Sequence, residues 1–403
     1  MINSNNILII LCVLVVASYL FNIIASKLRI PSVILLLCTG VGLNYLGKEF
    51  GFQFPSTNIL LEVLGIVGLI LIVLEGSLDL QITKNKIPLV AKSFFSALLI
   101  LVATTAIICF ILMEFLELPL TTGLVYAVPL GVISSAIAIP SVQQLSDEKK
   151  EFIIYESTFS DIIGIMLFNY VILDNLLSAN SIGQFFLALF LIVIISALSS
   201  FLLLFLLNYT TSHVKFYLIF AFLILIYSVA KIFHLPSLLL ILIFGMMLRN
   251  ARLFIKGKLA NYLHLEKLNS VTHELKLITV ETAFIIRTFF FILFGYTMNL
   301  ALLQDINVTM IGSLIIATII FIRFIFLRFI SKTNLLPEIF IAPRGLITIV
   351  LFYSIPASFH SDTFNEGILF FVIIVSALIM MFGLMLTKSK FEKSMDKPLG
   401  DTL

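Results

Sequence analysis

A 403-residue chain that is 61% hydrophobic and only 12% charged, with a mean hydropathy of +1.17, is excluded from the soluble globular class, whose charged fraction is about twice as large. The formal net charge of +3 is too small to argue for nucleic acid, and the basic residues fall in short breaks rather than on one patch. What remains is an all-α polytopic membrane protein.

The opening MINSNN has no cationic n-region, so the first apolar run reads as a retained spanning helix rather than a cleaved signal. Judged against the roughly 20 residues a span needs, about thirteen runs qualify. They lie near 7–25, 31–46, 58–78, 88–112, 119–142, 152–173, 183–207, 216–233, 236–250, 279–300, 308–330, 338–357 and 367–387. Cys12, Cys38 and Cys109 fall inside apolar runs, an odd number without metal-site spacing, and read as packing residues. His213, His234, His264, His273 and His360 fall in breaks or helix ends, again without metal-ligand spacing; His264 and His273, on the linker before the tenth span, are placed to tune a response to pH.

Alternate breaks gather the lysines and arginines: Lys27 and Arg29, Lys84 and Lys86, Lys149 and Lys150, Lys215, the stretch from Arg249 to Lys276, Lys332 and the tail from Lys388. The opposite breaks hold little beyond Lys48 and Lys231. This asymmetry puts the N-terminus outside and the C-terminus in the cytoplasm of a cell inner (plasma) membrane protein. The one long break, residues 250–278, reads as an amphipathic surface helix joining two halves. No soluble regulatory or catalytic domain is expected.

Two spans carry breaks. The fifth holds Ser134, Ser135 and Pro140, and Pro140 is expected to unwind its helix. The twelfth holds Ala342, Pro343, Arg344 and Gly345 in mid-span. Counting one helix as a connector, residues 1–182 form a first repeat, 183–215 the connecting helix, 216–387 a second repeat of opposite orientation, and 388–403 a short tail. The two breaks then hold equivalent places, the pattern that marks a transporter's midplane site.

Beside them, the sixth span reads ESTFSDIIGIML from Glu156. If the helix enters lipid near Phe152, Asp161 lies roughly 13–14 Å deep at about 1.5 Å per residue, near the middle of a hydrocarbon core of about 30 Å. A carboxylate at that depth is a functional suspect. Ser157 and Ser160 share its helical face, as a small hydrated site requires. Arg344 and Arg287 lie roughly 10 and 12 Å into their spans, and each needs a buried anion. Glu156 is the natural partner of Arg344 if the sixth and twelfth helices meet; Arg287 could take Glu281, Glu75 or Asp161. Glu75 and Asp79, at the end of the third span, could line an inward funnel that concentrates cations. Lys92 and Arg323 are expected to snorkel toward the cytoplasm.

Several phrases together resemble the cation:proton antiporter superfamily, in its sodium/proton exchanger branch. That branch carries a Glu-Ser-x-x-Asn-Asp signature in the sixth helix, matched here by Glu156, Ser157 and Asp161 with Ser160 in place of the Asn. VLEGSLDL at 73–80, RTFFFILFG at 287–295 and PRGLITIVLFYSIP at 343–356 look like the family's third-, tenth- and arginine-glycine-helix phrases. The resemblance implies inverted six-helix repeats with two broken crossing helices, a mobile core domain beside a dimerisation domain, and a homodimer. It implies Asp161 as the carboxylate that binds H⁺ or a monovalent cation, Ser160 as its neighbour, and Glu156 with Arg344 as a structural ion pair. One departure is that the family's Thr-Asp-Pro in the fifth helix is SSAIAIPSV here, so Ser134 and Ser135 stand as substitute ligands.

A single carboxylate is neutral when loaded with either ion and negative when empty, so exchange is coupled one for one, and Ser160 cannot titrate to add a second charge. The expected function is electroneutral antiport of Na⁺, with Li⁺ or K⁺ as alternatives, against H⁺, with no cofactor. A channel or an organic-anion transporter on the same scaffold is the alternative. The latter would show a larger pocket and a substrate-pairing Arg free of Glu156. A membrane enzyme would need its acids at the interface, where these are not.

Overall fold

Each apolar run becomes helical. The computed structural model describes residues 4–28, 30–49, 57–80, 85–143, 145–172, 179–209, 215–233, 235, 237–251, 265–330 and 336–395; His213, His234 and His264 lie outside them. In chain order the helices are α1 Ser4–Leu28, α2 Ser32–Glu49, α3 Thr57–Asp79, α4 Ile87–Leu116, α5 Leu120–Gly131, α6 Ser135–Ser141, α7 Asp147–Val171, α8 Ala179–Tyr209, α9 Lys215–Ile232, α10 Ser237–Arg249, α11 Leu265–Thr297, α12 Ile306–Ile325, α13 Leu346–Tyr353 and α14 Glu366–Met395. Because α5 and α6 are two halves of one crossing, they make the thirteen units expected. Among the described residues, six helical stretches are long and apolar enough by themselves to cross a membrane, the joined α5–α6 included. α7 is not one of them. Its acids and hydroxyls lower its hydropathy, and it is held instead by burial against α4, α5 and α6.

Two expectations are corrected. Of the stretch 250–278, residues 252–264 lie outside the described ones, and the part from Leu265 is not a separate surface helix but the start of α11, which runs unbroken through the tenth span for 33 residues. Residues 265–278 contain no Gly or Pro to stop it, and Val271 and Leu275 bury one face while His273 and Glu274 stay exposed. In the fifth span the break lies upstream of Pro140, at Val132–Ser134, and Pro140 sits inside α6. The proline that precedes the break is Pro129, in the last turn of α5, followed by the β-branched pair Val132 and Ile133. The twelfth crossing breaks where expected: a 3₁₀ turn over Glu338–Phe340, extended chain to Gly345, then α13.

The frame opposite these breaks depends on close backbone contact. A Cβ on Gly40 of α2 would meet the Ile292 carbonyl oxygen at 2.0 Å, and one on Gly295 of α11 would meet the Leu37 carbonyl oxygen at 2.4 Å. Each glycine thus admits the other helix's backbone, and α2 and α11 lie against each other without intervening side chains.

Candidate functional site

A broken helix in a membrane core must find partners for its freed backbone groups. Three successive N–H groups at the fifth-span break do so outside their own helix. Ile133 N–H donates to Ser160 Oγ (2.9 Å), Ser134 N–H to the Pro343 carbonyl (2.8 Å), and Ser135 N–H to Asp161 Oδ2 (3.3 Å). One bond joins the two breaks directly, and two anchor the first break to α7. Gly345 belongs to the same contact: a Cβ there would stand 2.6 Å from Ile137 Cδ1 and 2.8 Å from Ser134 Oγ.

The structure therefore brings Asp161, Ser160, Ser134 and Ser135 together. Asp161 is only 2% exposed, and its Oδ1 and the Ser134 hydroxyl are both buried without a hydrogen-bond partner. Two oxygens with free lone pairs, one of them on a carboxylate, suit a small desolvated cation or a proton. Ser157 differs. Its hydroxyl donates to its own helix, at the Ile153 carbonyl (2.8 Å), and no hydrogen bond joins it to Asp161. Ser160 acts chiefly as an acceptor for backbone.

The predicted pairing of Glu156 with Arg344 is not what the structure contains. Arg323 of α12 donates from Nη2 to Glu156 Oε2 (2.8 Å), with the two side chains 0% and 1% exposed, and Ser96 of α4 donates to Oε1. Arg323 Nε also donates to the Glu338 carbonyl (2.6 Å) at the mouth of the twelfth crossing, and Lys149 of α7 closes on the Glu338 carboxylate (2.8 Å). Arg323 does not snorkel, because α12 continues in a π turn to Ile330 beyond it and the Glu338–Phe340 turn covers it. This network of Ser96, Lys149, Arg323 and Glu338 was missed from the sequence. Arg344 is fully buried; its backbone N–H donates to Ser376 of α14 (3.0 Å), while its guanidinium has no hydrogen-bond partner.

The remaining charges divide between two pairs. Arg287 faces Glu75 (Nη2 to Oε2, 3.5 Å), which selects one of its three candidates. Asp79 is held by Lys276, so it belongs to a helix-end pair outside the cavity that Glu75 lines. Lys92 lies over the Phe152 ring, 5.8 Å from its centroid.

Among the described residues, thirteen helical units, two of them interrupted and bonded to each other beside a buried carboxylate, have the architecture of a secondary ion transporter. A family model described as "Sodium/hydrogen exchanger, transmembrane" matches residues 10–388, and the chain belongs to that family. It is a transporter rather than an enzyme, its activity is sodium/proton exchange, and the transported ions are its substrates rather than cofactors. Among solved structures the chain is similar to the sodium proton antiporter MjNhaP1 from Methanocaldococcus jannaschii at pH 8, with a TM-score of 0.67 and 21% identity over 94% of this chain and 98% of that one. It is likewise similar to the electron-microscopy structure of that antiporter, with a TM-score of 0.69 and 21% identity over the whole of both chains. At this identity the likeness concerns the fold. No curated protein matches the sequence.

Proposed function

We propose that the chain exchanges one Na⁺ for one H⁺ at Asp161 by alternating access, with Ser134 and the backbone of the fifth-span break completing the ion's shell and Ser135 and Ser160 holding that backbone in place. The observation that carries this reading is the buried Asp161 carboxylate, whose Oδ1 is without a hydrogen-bond partner beside the two bonded breaks. A carboxylate that must be either protonated or ion-paired to cross a low-dielectric barrier couples the two ions. Ser160, as a non-titrating acceptor, leaves the cycle electroneutral. The lysine distribution supports an N-terminus outside and a cytoplasmic C-terminus in the plasma membrane. Repeats over 1–182 and 216–387, joined by 183–215, and a homodimer in the lipid bilayer complete the proposal.

The test is dequenching of a pH-sensitive dye in proteoliposomes on addition of Na⁺, Li⁺ or K⁺. Wild-type protein should respond to Na⁺ and give no net current, and Asp161→Asn, folded by size-exclusion profile, should be silent. Na⁺-dependent dequenching retained by Asp161→Asn would refute the assignment. The organic-anion reading gains one point, since Arg344 is free of Glu156. Yet Arg344 is 0% exposed, so its guanidinium presents no surface to solvent.

A further inference from the structure

Threonines inside the helices of this chain commonly turn their hydroxyls onto their own backbone. Thr39, Thr279, Thr282, Thr288 and Thr318 each donate to the carbonyl four residues back, at 2.7–2.9 Å. Thr158 of α7 does not: its side chain is buried and its Oγ1 has no hydrogen-bond partner. The carbonyl it would use, that of Ile154, lies instead against the Ser157 hydroxyl (3.3 Å), which also donates to Ile153 (2.8 Å). Ser157 closes onto its own helix, and the hydroxyl left open on α7 is its neighbour's.

Thr158 and Asp161 are three apart, so they share a face of α7 with Cβ atoms about 5–6 Å from each other. Asp161 Oδ1 is likewise buried without a partner. Two such oxygens, one turn apart and not bonded to each other, leave between them the space that a small cation or a water bridges. They also close on it from different sides. Ser135 reaches Asp161 from the fifth-span break, whereas Thr158 faces α3, where a Cβ on Gly76 would stand 3.1 Å from its Oγ1. Because α3 packs chiefly on α10 and α11, and α7 on α4, α5 and α6, this contact crosses between two groups of helices. Glu75, beside Gly76, and Ala136, beside Ser135, line one cavity of about 300 Å³, which brings water to within one residue of each. Thr104 and Thr105 also have partnerless hydroxyls, but they stand on α4, where Thr105 abuts Gly131 at the end of α5.

We infer that Thr158 is a further ligand of the transported cation. Its hydroxyl oxygen closes, on the α3 side, the shell that Asp161 and Ser134 form at the break, and the part the sequence gives to Ser157 passes to the next residue. The β-branched side chain, set against Gly76, holds that oxygen in place. This rests on the exchange function proposed above, with Asp161 as the carrier.

Thr158→Val, which keeps the volume and removes the hydroxyl, tests this in the full-length protein. The readouts are a Na⁺ titration of dequenching in proteoliposomes and the Na⁺-dependent thermal shift in detergent. The Na⁺ concentration for half-maximal exchange should rise about tenfold, equivalent to about 1.4 kcal/mol, with the maximal rate near wild type. The thermal shift with Na⁺ should shrink, while the Tm without Na⁺ stays at or above wild type, because the hydroxyl makes no hydrogen bond to lose. Thr158→Ser, which keeps the oxygen, should restore the Na⁺ dependence. Wild-type Na⁺ dependence in Thr158→Val, or a loss that Thr158→Ser does not restore, overturns the ligand. Should Thr158→Val fail to fold, Thr158→Ala compared with Thr158→Ser decides the same question. An Asp161→Asn protein that still exchanges sinks the exchange reading and this ligand with it, whereas a silent Asp161→Asn beside a Thr158→Val of unchanged Na⁺ dependence removes Thr158 alone.

Discussion

Replacing Arg323 by Met keeps the side-chain volume but removes the cation from Glu156, leaving a carboxylate that is 1% exposed with Ser96 as its remaining partner. Breaking a buried pair from one side costs about 3–5 kcal/mol; the Glu338 carbonyl loses the Arg323 donor as well but keeps the Ile341 N–H. The double variant Glu156→Gln/Arg323→Met removes both charges together, keeps an acceptor for Ser96, and should recover most of the first loss. Arg344→Met is the internal control. It removes an equally buried guanidinium that makes no hydrogen bond, and should fall within about 1.5 kcal/mol of wild type or above it. The assay is thermal unfolding of the detergent-purified proteins at a fixed scan rate, since irreversible unfolding makes the apparent Tm rate-dependent. The expected order is Arg323→Met lowest, the double variant intermediate, and Arg344→Met near wild type. Arg344→Met falling as far as Arg323→Met, or no recovery in the double variant, would show that the Arg323 pair is not what holds α7 to the twelfth crossing.

Other outcomes can be checked with the same preparations. Ser160→Ala should leave the Ile133 N–H without an acceptor, costing about 1–3 kcal/mol and slowing exchange, whereas Ser160→Asn should be near normal in both. Gly345→Ala places a methyl 2.6–2.8 Å from Ile137 and Ser134 and should abolish exchange by parting the two breaks; a variant with wild-type turnover would contradict the crossing. Gly40→Ala meets backbone at 2.0 Å, which no rotamer change relieves, so it should fail to yield a folded protein, measured as monodisperse material after extraction.

Much of this was legible because membrane helices announce themselves by length, and because a mid-span carboxylate or a Pro-Arg-Gly run is too costly in lipid to persist without a role. Asp161 and the break at Ala342–Gly345 follow directly from such signals. The side a helix presents is a different matter. Arg323 lies near enough to the end of its span to look like a snorkelling residue, and only the course of the chain beyond it, through Glu338, shows that this end is covered by protein. Pairing Arg344 with Glu156 rests on the sixth and twelfth helices meeting and on the family resemblance, and it fails because Arg323 of α12 reaches Glu156 instead. Pro140 misleads for a local reason: a proline inside a short half-helix is tolerated where it is, and the break belongs to Val132, whose N–H still reaches back to Pro129, and Ile133, whose N–H is satisfied by Ser160 of α7. Such pairings, between residues far apart along the chain, leave no periodicity to read.

The bond from Ile133 N–H to Ser160 has a consequence for how such transporters diversify. What the backbone requires at position 160 is an oxygen acceptor, and serine, asparagine and aspartate each carry one. If Asp161 carries the exchange as proposed, an acid at position 160 would add a second titratable group to the site while still offering the Ile133 N–H an acceptor.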